Sequence, residues 1–179
     1  MFPRFAAVSW LPDGSRIAVA RGESAVDVYD AAALGVARHH VPMTGQTTDV
    51  AWSPVGDLLA IGDRGGDVVI ASSTTWQVVR TVASPSLRDV ASLSWSPDGR
   101  RLAAGYSGGA VVLYDSTTGA VPRTLGPLRQ VNAVVWSPNG QVVAVTSLAF
   151  AVALGSSASG VPLGRSHPRC RLTCLGLSP

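Results

Sequence analysis

The segment Trp95-Ser96-Pro97-Asp98-Gly99 lies at the centre of a unit that recurs along the chain. Its tryptophan is matched by Trp10, Trp52 and Trp136, so consecutive copies are 42, 43 and 41 residues apart. A proline follows each tryptophan by two residues, a glycine by four, an alanine by eight and a valine by sixteen. Five residue types kept in register over four copies indicate a repeat architecture.

Each copy predicts four short strands. The residues before each tryptophan are apolar strand formers, which is typical of a strand covered on both faces. The Pro-x-Gly element predicts a tight turn, because proline presets φ and glycine accepts positive φ. A second strand, a Gly-rich turn and a third strand follow. The variable outer strand is predicted at 36–41, 76–82 and 120–125.

One four-stranded sheet cannot bury both of its faces alone, and stacking neighbouring sheets around an axis solves this problem. We therefore expect an all-β fold of four four-stranded antiparallel sheets, arranged as β-propeller blades in an incomplete or partial ring. The predicted repeats cover about 6–45, 46–88, 89–130 and 131–165. Residues 166–179 match no repeat, and we expect this tail to be disordered.

The repeat resembles the WD-repeat family from residue 6 to about residue 165. Tyr29-Asp30 and Tyr114-Asp115 stand where that family often has Trp-Asp, and the Trp-Ser-Pro-Asp-Gly turn is also similar to YVTN-like repeats of bacterial propellers. The Gly-His of the family is missing. The turn aspartate is replaced by Glu23, Gly65 and Gly108. The resemblance therefore implies blades held together by apolar packing, without the buried Asp–His–Ser–Trp network of typical members.

Four blades are fewer than the usual seven, and three explanations are open. The chain could be a piece of a longer propeller, with a tail from a broken reading frame. It could pair with itself to give eight blades with two-fold symmetry. It could form a small or open four-bladed propeller. Because an open ring exposes apolar blade faces, we expect self-association.

Composition restricts the class of protein further. Apolar residues make up 46% and charged residues 14%, which predicts a packed core. The net charge of +3 comes from arginines scattered along the chain, so no nucleic-acid partner is expected. No apolar run reaches the roughly 18 residues of a spanning helix, so no membrane partner is expected. The chain starts without a signal-peptide pattern, and we expect a cytoplasmic protein.

The candidate catalytic and metal-binding groups are few. Adjacent histidines on a strand point to opposite faces, so His39 and His40 are not expected to share a metal. His167, Cys170 and Cys174 offer three ligands where structural zinc needs four. The only glutamate is Glu23, and no nucleophile-elbow sequence is present. We expect neither an enzyme nor a cofactor or metal.

Two functions from different classes are compared. The resemblance favours a scaffold for protein–protein interaction, which binds a partly acidic protein or peptide on one rim. That rim comprises the loops between second and third strands and the loops that enter first strands. Its candidate contact residues are Arg21, Glu23, Arg64, Arg88, Tyr106 and Arg129.

The alternative is a propeller enzyme of lactonase or quinoprotein type, with chemistry at the axis. Its candidates are residues 47–49, Arg88, Asp89, Gln130 and Asn132, which do not repeat as a ligand set. A third possibility is a truncated fragment without independent function. Trp76 is the one tryptophan outside the repeat register, and we expect it to pack against a neighbouring blade.

Overall fold

The computed structural model describes residues 7–33, 35–83, 87, 89–121, 123–148, 153–156 and 162–165. In these residues the chain forms strands and no helix. Blade 1 contains β1 (Ala7–Trp10), β2 (Arg16–Ala20), β3 (Ala25–Asp30) and β4 (His39–Pro42). Blade 2 contains β5 (Thr47–Trp52), β6 (Leu58–Asp63), β7 (Val68–Ser72) and β8 (Val78–Val82). Blade 3 contains β9 (Val90–Trp95), β10 (Arg101–Tyr106), β11 (Val111–Asp115) and β12 (Arg123–Leu125). Blade 4 contains β13 (Val131–Trp136), β14 (Val142–Ser147), β15 (Ala153–Ser156) and β16 (Pro162–Arg165).

Each blade is an antiparallel sheet whose strands pair in chain order. This confirms the predicted all-β fold of four-stranded propeller blades. All three predicted outer strands begin later than predicted, at His39, Val78 and Arg123. Trp76 has φ of +58°, which is incompatible with an extended strand. The tail after Arg165 and its two cysteines lie outside the described residues.

The turn between the first and second strands has the predicted geometry. The glycines of the four copies have φ of +72°, +79°, +68° and +67°. In blade 3 the backbone N–H of Gly99 donates to the carbonyl of Ser96 at 2.9 Å. Asp98 Oδ1 accepts a hydrogen bond from the Ser96 hydroxyl at 2.6 Å and one from the Arg100 N–H at 3.0 Å. These hydrogen bonds, that of Ser96 foremost, lower the pKa of Asp98.

The core lies between the blades. Three apolar clusters fill the spaces between blades 1 and 2, 2 and 3, and 3 and 4. The repeat alanines Ala18, Ala60 and Ala103 are fully buried within them. At Gly105 an added Cβ would stand 2.6 Å from Val131 Cγ1, so only glycine allows the next blade to approach this closely. Apolar packing therefore joins the blades, as the sequence predicts.

The first strands β1, β5, β9 and β13 lie against one another in chain order. Among the described residues, β1 and β13 make no comparable contact, so the arrangement is open between blades 1 and 4. Trp52, Trp95 and Trp136 are buried, whereas Trp10 is 54% exposed. No helix long and apolar enough to cross a membrane occurs in the described part of the chain.

Candidate partner-binding rim

The structure brings together the two groups of loops that the sequence assigns to one rim. The backbone N–H of Thr47 donates to the carbonyl of Glu23 at 2.9 Å, and that of Arg64 donates to Gln46 at 3.0 Å. Blade 3 repeats this link, because the N–H of Ser107 donates to Asp89 at 2.9 Å. We call this surface the entry rim; it comprises residues 21–24, 43–46, 64–67, 107–110 and 126–130. Backbone hydrogen bonds thus tie these loops into two sets, one of residues 21–24, 43–46 and 64–67 and one of residues 107–110 and 126–130.

Three of the predicted contact residues are exposed on the entry rim. Glu23, Arg64 and Arg129 carry exposed side chains. None of the three side chains makes a hydrogen bond or an ion pair with another residue that the structure describes. Arg88 is also predicted for this surface from the sequence, but it lies outside the described residues. Among the described residues of the rim, the fully exposed charged side chains without an ion pair are therefore two arginines and one glutamate.

Arg21 differs from Arg64 because it is already paired. Its Nη2 lies 2.6 Å from Asp27 Oδ2 and also donates to the Tyr29 hydroxyl. Asp27 is only 5% exposed. The hydrogen bond to Tyr29 and the charge of Asp27 together raise the pKa of Arg21, against the opposite effect of burial. A partner of the rim would have to compete with Asp27 for this guanidinium.

The prediction of Tyr106 as an exposed contact residue is wrong. Its side chain is fully buried between blades 2 and 3, and its hydroxyl lies 2.5 Å from that of Tyr114. Strand β10 extends to Tyr106, so this residue lies in the second strand and not in the loop that follows it. The ring therefore points into the interblade core and contributes to stability.

The histidine pair shows what sequence spacing missed. His39 and His40 point to opposite faces, as predicted: His39 stacks on Trp76 at 4.3 Å, and His40 Nδ1 lies 2.5 Å from Asp27 Oδ1. Antiparallel pairing of β3 with β4 sets Asp27, which is 13 residues earlier in the sequence, directly opposite His40. Burial, and then the charge of Arg16, lower the pKa of His39.

Trp76 packs against blade 1, as predicted. Its ring meets Trp52 edge-on at 6.0 Å, and the Arg16 guanidinium lies 5.3 Å from its centroid. A groove of about 460 Å³ opens beside it between the outer strands of blades 1 and 2. The groove is lined by Arg38, His39, His40, Pro42, Trp76, Gln77 and Val78.

Asp49, one of the residues considered for chemistry at the axis, binds backbone N–H groups. Asp49 Oδ2 accepts a hydrogen bond from the N–H of Leu93 at 2.7 Å, and its Oδ1 accepts one from Val50 at 2.9 Å. Burial raises the pKa of Asp49 despite these two bonds. Within the described ranges, no three His, Cys, Asp or Glu side chains are grouped to hold a metal ion.

Comparison with known proteins agrees with this architecture. Residues 50–127 match the family described as the anaphase-promoting complex subunit 4 WD40 domain. A chain of the Kuenenia stuttgartiensis hydrazine synthase superposes with a TM-score of 0.83 at 19% identity, over 92% of this chain and 49% of that one. A chain from the crystal structure of the mitotic checkpoint complex superposes with a TM-score of 0.79 at 25% identity, over 89% of this chain and 48% of that one.

No curated protein matches the sequence significantly. The likeness to hydrazine synthase, at its low identity, shows the fold alone. The chain spans about half the length of each of these two structures. Together with the repeat register, the matches show that the chain is built of WD40-type β-propeller blades.

Proposed function

We propose that this WD40-type chain is a protein-binding module, and that its entry rim holds an acidic segment of the partner. The observation that carries the proposal is the exposure of Arg64 and Arg129, without an ion pair, each on a loop held to a neighbouring loop by a backbone hydrogen bond. The family matched by residues 50–127 is named for a subunit of a multiprotein complex, which also favours a protein partner. We further propose that the module acts in the cytoplasm.

The rigidity of the rim supports binding at these positions. The backbone under Arg64 is fixed by its bond to Gln46, so an interface there loses little further backbone entropy when it forms. Arginine presents a planar group that can hold a carboxylate with two hydrogen bonds. Arginine is also enriched among residues that dominate binding energies. Arg64 and Arg129 are thus expected to anchor carboxylates.

The proposal is tested with short peptides rich in Asp and Glu, displayed as a library and selected on the purified full chain. The selected peptide is then titrated against Arg64→Ala/Arg129→Ala and against Arg88→Ala. We expect the double substitution to weaken binding about tenfold or more, as the loss of two charged contacts implies. The matched control is Arg100→Ala, because Arg100 is exposed at the opposite end of the blades, in the Pro-Asp-Gly turn. Equal affinities for the double variant and the wild-type chain would refute the assignment of the rim.

A further inference from the structure

The exposure of the repeat tryptophan differs between the first blade and the other three. Trp52, Trp95 and Trp136 occupy the same register position and are 6%, 7% and 5% exposed, because each packs against the preceding blade. Trp10 at that position is 54% exposed, and Val8 beside it is 59% exposed. Blade 1 therefore presents an uncovered face, the blade-1 face, defined by Val8, Trp10, Ile17, Val19, Arg21, Asp27, Tyr29 and His40.

Each interface inside the chain also contains a hydrogen bond along the inner edge. A side-chain oxygen on the first strand of one blade accepts a backbone N–H of the next first strand. Ser9 Oγ accepts the N–H of Trp52 at 3.0 Å, and Ser94 Oγ accepts that of Trp136 at 3.1 Å. Two residues earlier in the first strands, Asp49 Oδ2 accepts the N–H of Leu93 at 2.7 Å, and Ser92 Oγ accepts the N–H of Val134 at 3.2 Å. By the same register, the N–H groups of Trp10 and Val8 face outward from the blade-1 face.

The outer half of the blade-1 face is polar, unlike its counterparts. In blade 1, the residues that pair directly from the first strand to the fourth are Val8, Val19, Asp27 and His40. The matching rows are Val50, Ile61, Val69, Thr81 in blade 2 and Leu93, Ala104, Val112, Thr124 in blade 3. Asp27 thus occupies the position of a buried valine, and Arg21 and His40 contact its carboxylate. The accessible members of this cluster are His40, with 66% of its side chain exposed, and Arg21, with 39%.

The opposite end of the chain does not complement this face. Val135 and Ala133 occupy in blade 4 the positions of Ser94 and Ser92, so β13 offers no side-chain oxygen to the next blade. Residues 131–165 contain no Asp or Glu, so the fourth repeat offers no carboxylate to Arg21 and His40. Self-association through the open ends, which the apolar blade faces alone lead us to expect, would join blade 4 to blade 1 and bury the N–H groups of Trp10 and Val8 without side-chain acceptors. Each such unsatisfied group is costly to bury.

We propose that the blade-1 face binds a propeller blade other than the four of this sequence, whose first strand carries Ser, Thr, Asp or Asn at one or both of these positions. The partner blade covers Val8 and Trp10 with apolar side chains and meets Arg21 and His40 with an acidic group. Continuity with three interfaces of the same construction supports a blade as the occupant. The blade-1 face shares Arg21 with the entry rim but contains neither Arg64 nor Arg129, so the two proposals are tested by different variants.

The test gives the chain the acceptors that its fourth blade lacks. The probe is the full chain with Ala133→Ser and Val135→Ser, and the matched control is Val135→Ala, which alters the same side chain without adding an oxygen. Self-association is measured by sedimentation, and the exposure of Trp10 is measured by acrylamide quenching of tryptophan fluorescence. We expect the wild-type chain to show no Trp10-dependent association and the double-serine chain to associate at least tenfold more tightly than Val135→Ala. Trp10→Ala should abolish that gain.

Two results would overturn the proposal. A discrete wild-type dimer that Trp10→Ala dissociates would make a second copy the occupant of the blade-1 face. A double-serine chain that associates no more tightly than Val135→Ala would show that inner-strand acceptors do not select the partner. In either case Arg64→Ala/Arg129→Ala leaves the association unchanged, which separates this test from that of the rim.

Discussion

Ser94 Oγ accepts a hydrogen bond from the backbone N–H of Trp136 across 3.1 Å, which joins the inner edges of blades 3 and 4. Ser92 makes the corresponding bond to Val134 at 3.2 Å. Because β13 has a paired strand on one side only, these serines satisfy backbone groups that the sheet itself leaves free. Short polar side chains on first strands are thus part of the connection between blades.

Removal of both serines should weaken this connection. We expect Ser92→Ala/Ser94→Ala to lower the free energy of unfolding by about 2 kcal/mol, at about 1 kcal/mol for each hydrogen bond. Urea denaturation of the variant and the wild-type chain measures the difference. Ser24→Ala is the control, because the Ser24 side chain is exposed in a loop of blade 1. Equal losses in the control and the double variant would contradict the role of the inner-edge bonds.

Gly105→Ala should destabilise the chain by forcing blades 3 and 4 apart. The new methyl group would meet Val131 Cγ1 at 2.6 Å and Val134 Cγ1 at 2.8 Å, and overpacking of this kind costs about 1–3 kcal/mol. Thermal unfolding followed by circular dichroism tests this prediction. Gly35→Ala serves as the control, because nothing lies within 4 Å of a Cβ added there. Partial recovery of stability on adding Val131→Ala would confirm the clash as the cause.

Trp76→Ala should loosen the contact between blades 1 and 2 at their outer strands. The ring stacks on His39 and meets Trp52 edge-on, and aromatic pairs contribute about 0.5–1.5 kcal/mol each beyond area burial. We therefore expect a loss of about 2 kcal/mol in a urea titration. Val79→Ala should have little effect, since Val79 is 54% exposed on the outer strand of blade 2. Similar stabilities of the two variants would show that the stacking contributes little.

Asp49 predicts a pH dependence of stability. Burial raises its pKa above the ordinary value of 3.8, so the folded chain binds a proton at Asp49 more readily than the unfolded chain does. The contribution of protonated Asp49 to the stability of the fold is therefore greatest at low pH. It is lost as the pH rises from 3.8 through the higher pKa of the folded state. Asp49→Asn cannot ionise at this position. The stability of the wild-type chain relative to this variant should thus increase as the pH falls through that window.

The measurement is a pair of urea titrations for each protein, at neutral pH and at a pH close to 4. A wild-type chain that loses stability relative to Asp49→Asn on acidification would contradict the raised pKa. The comparison with Asp98→Asn should show the opposite pH dependence. Hydrogen bonds lower the pKa of Asp98, so its ionised carboxylate stabilises the fold above the ordinary pKa, and this contribution is lost as the pH falls.

Much of the entry rim could be anticipated, because turn chemistry is local. The loops that carry Glu23, Arg64 and Arg129 were assigned to one rim from their positions in the repeat, and backbone hydrogen bonds link the loops of Glu23 and Arg64 through residues 46 and 47. Tyr106 could not be assigned correctly, since one residue of difference in where a strand ends decides whether a side chain enters the core. The pairing of Asp27 with His40 was also missed, because their 13-residue separation becomes contact only through strand register.

The sequence by itself determined the repeat, the turns and the four-stranded blades. Proline and glycine at fixed spacing determine the backbone conformation over only a few residues. The positive φ of Gly99 therefore follows from the turn sequence itself. Only the tertiary structure decided which copies of one residue are covered. Trp10 and Trp136 are equivalent in sequence, yet one is 54% and the other 5% exposed. The physical reason is that a blade buries its tryptophan against the preceding blade, and in the described chain no blade covers Trp10.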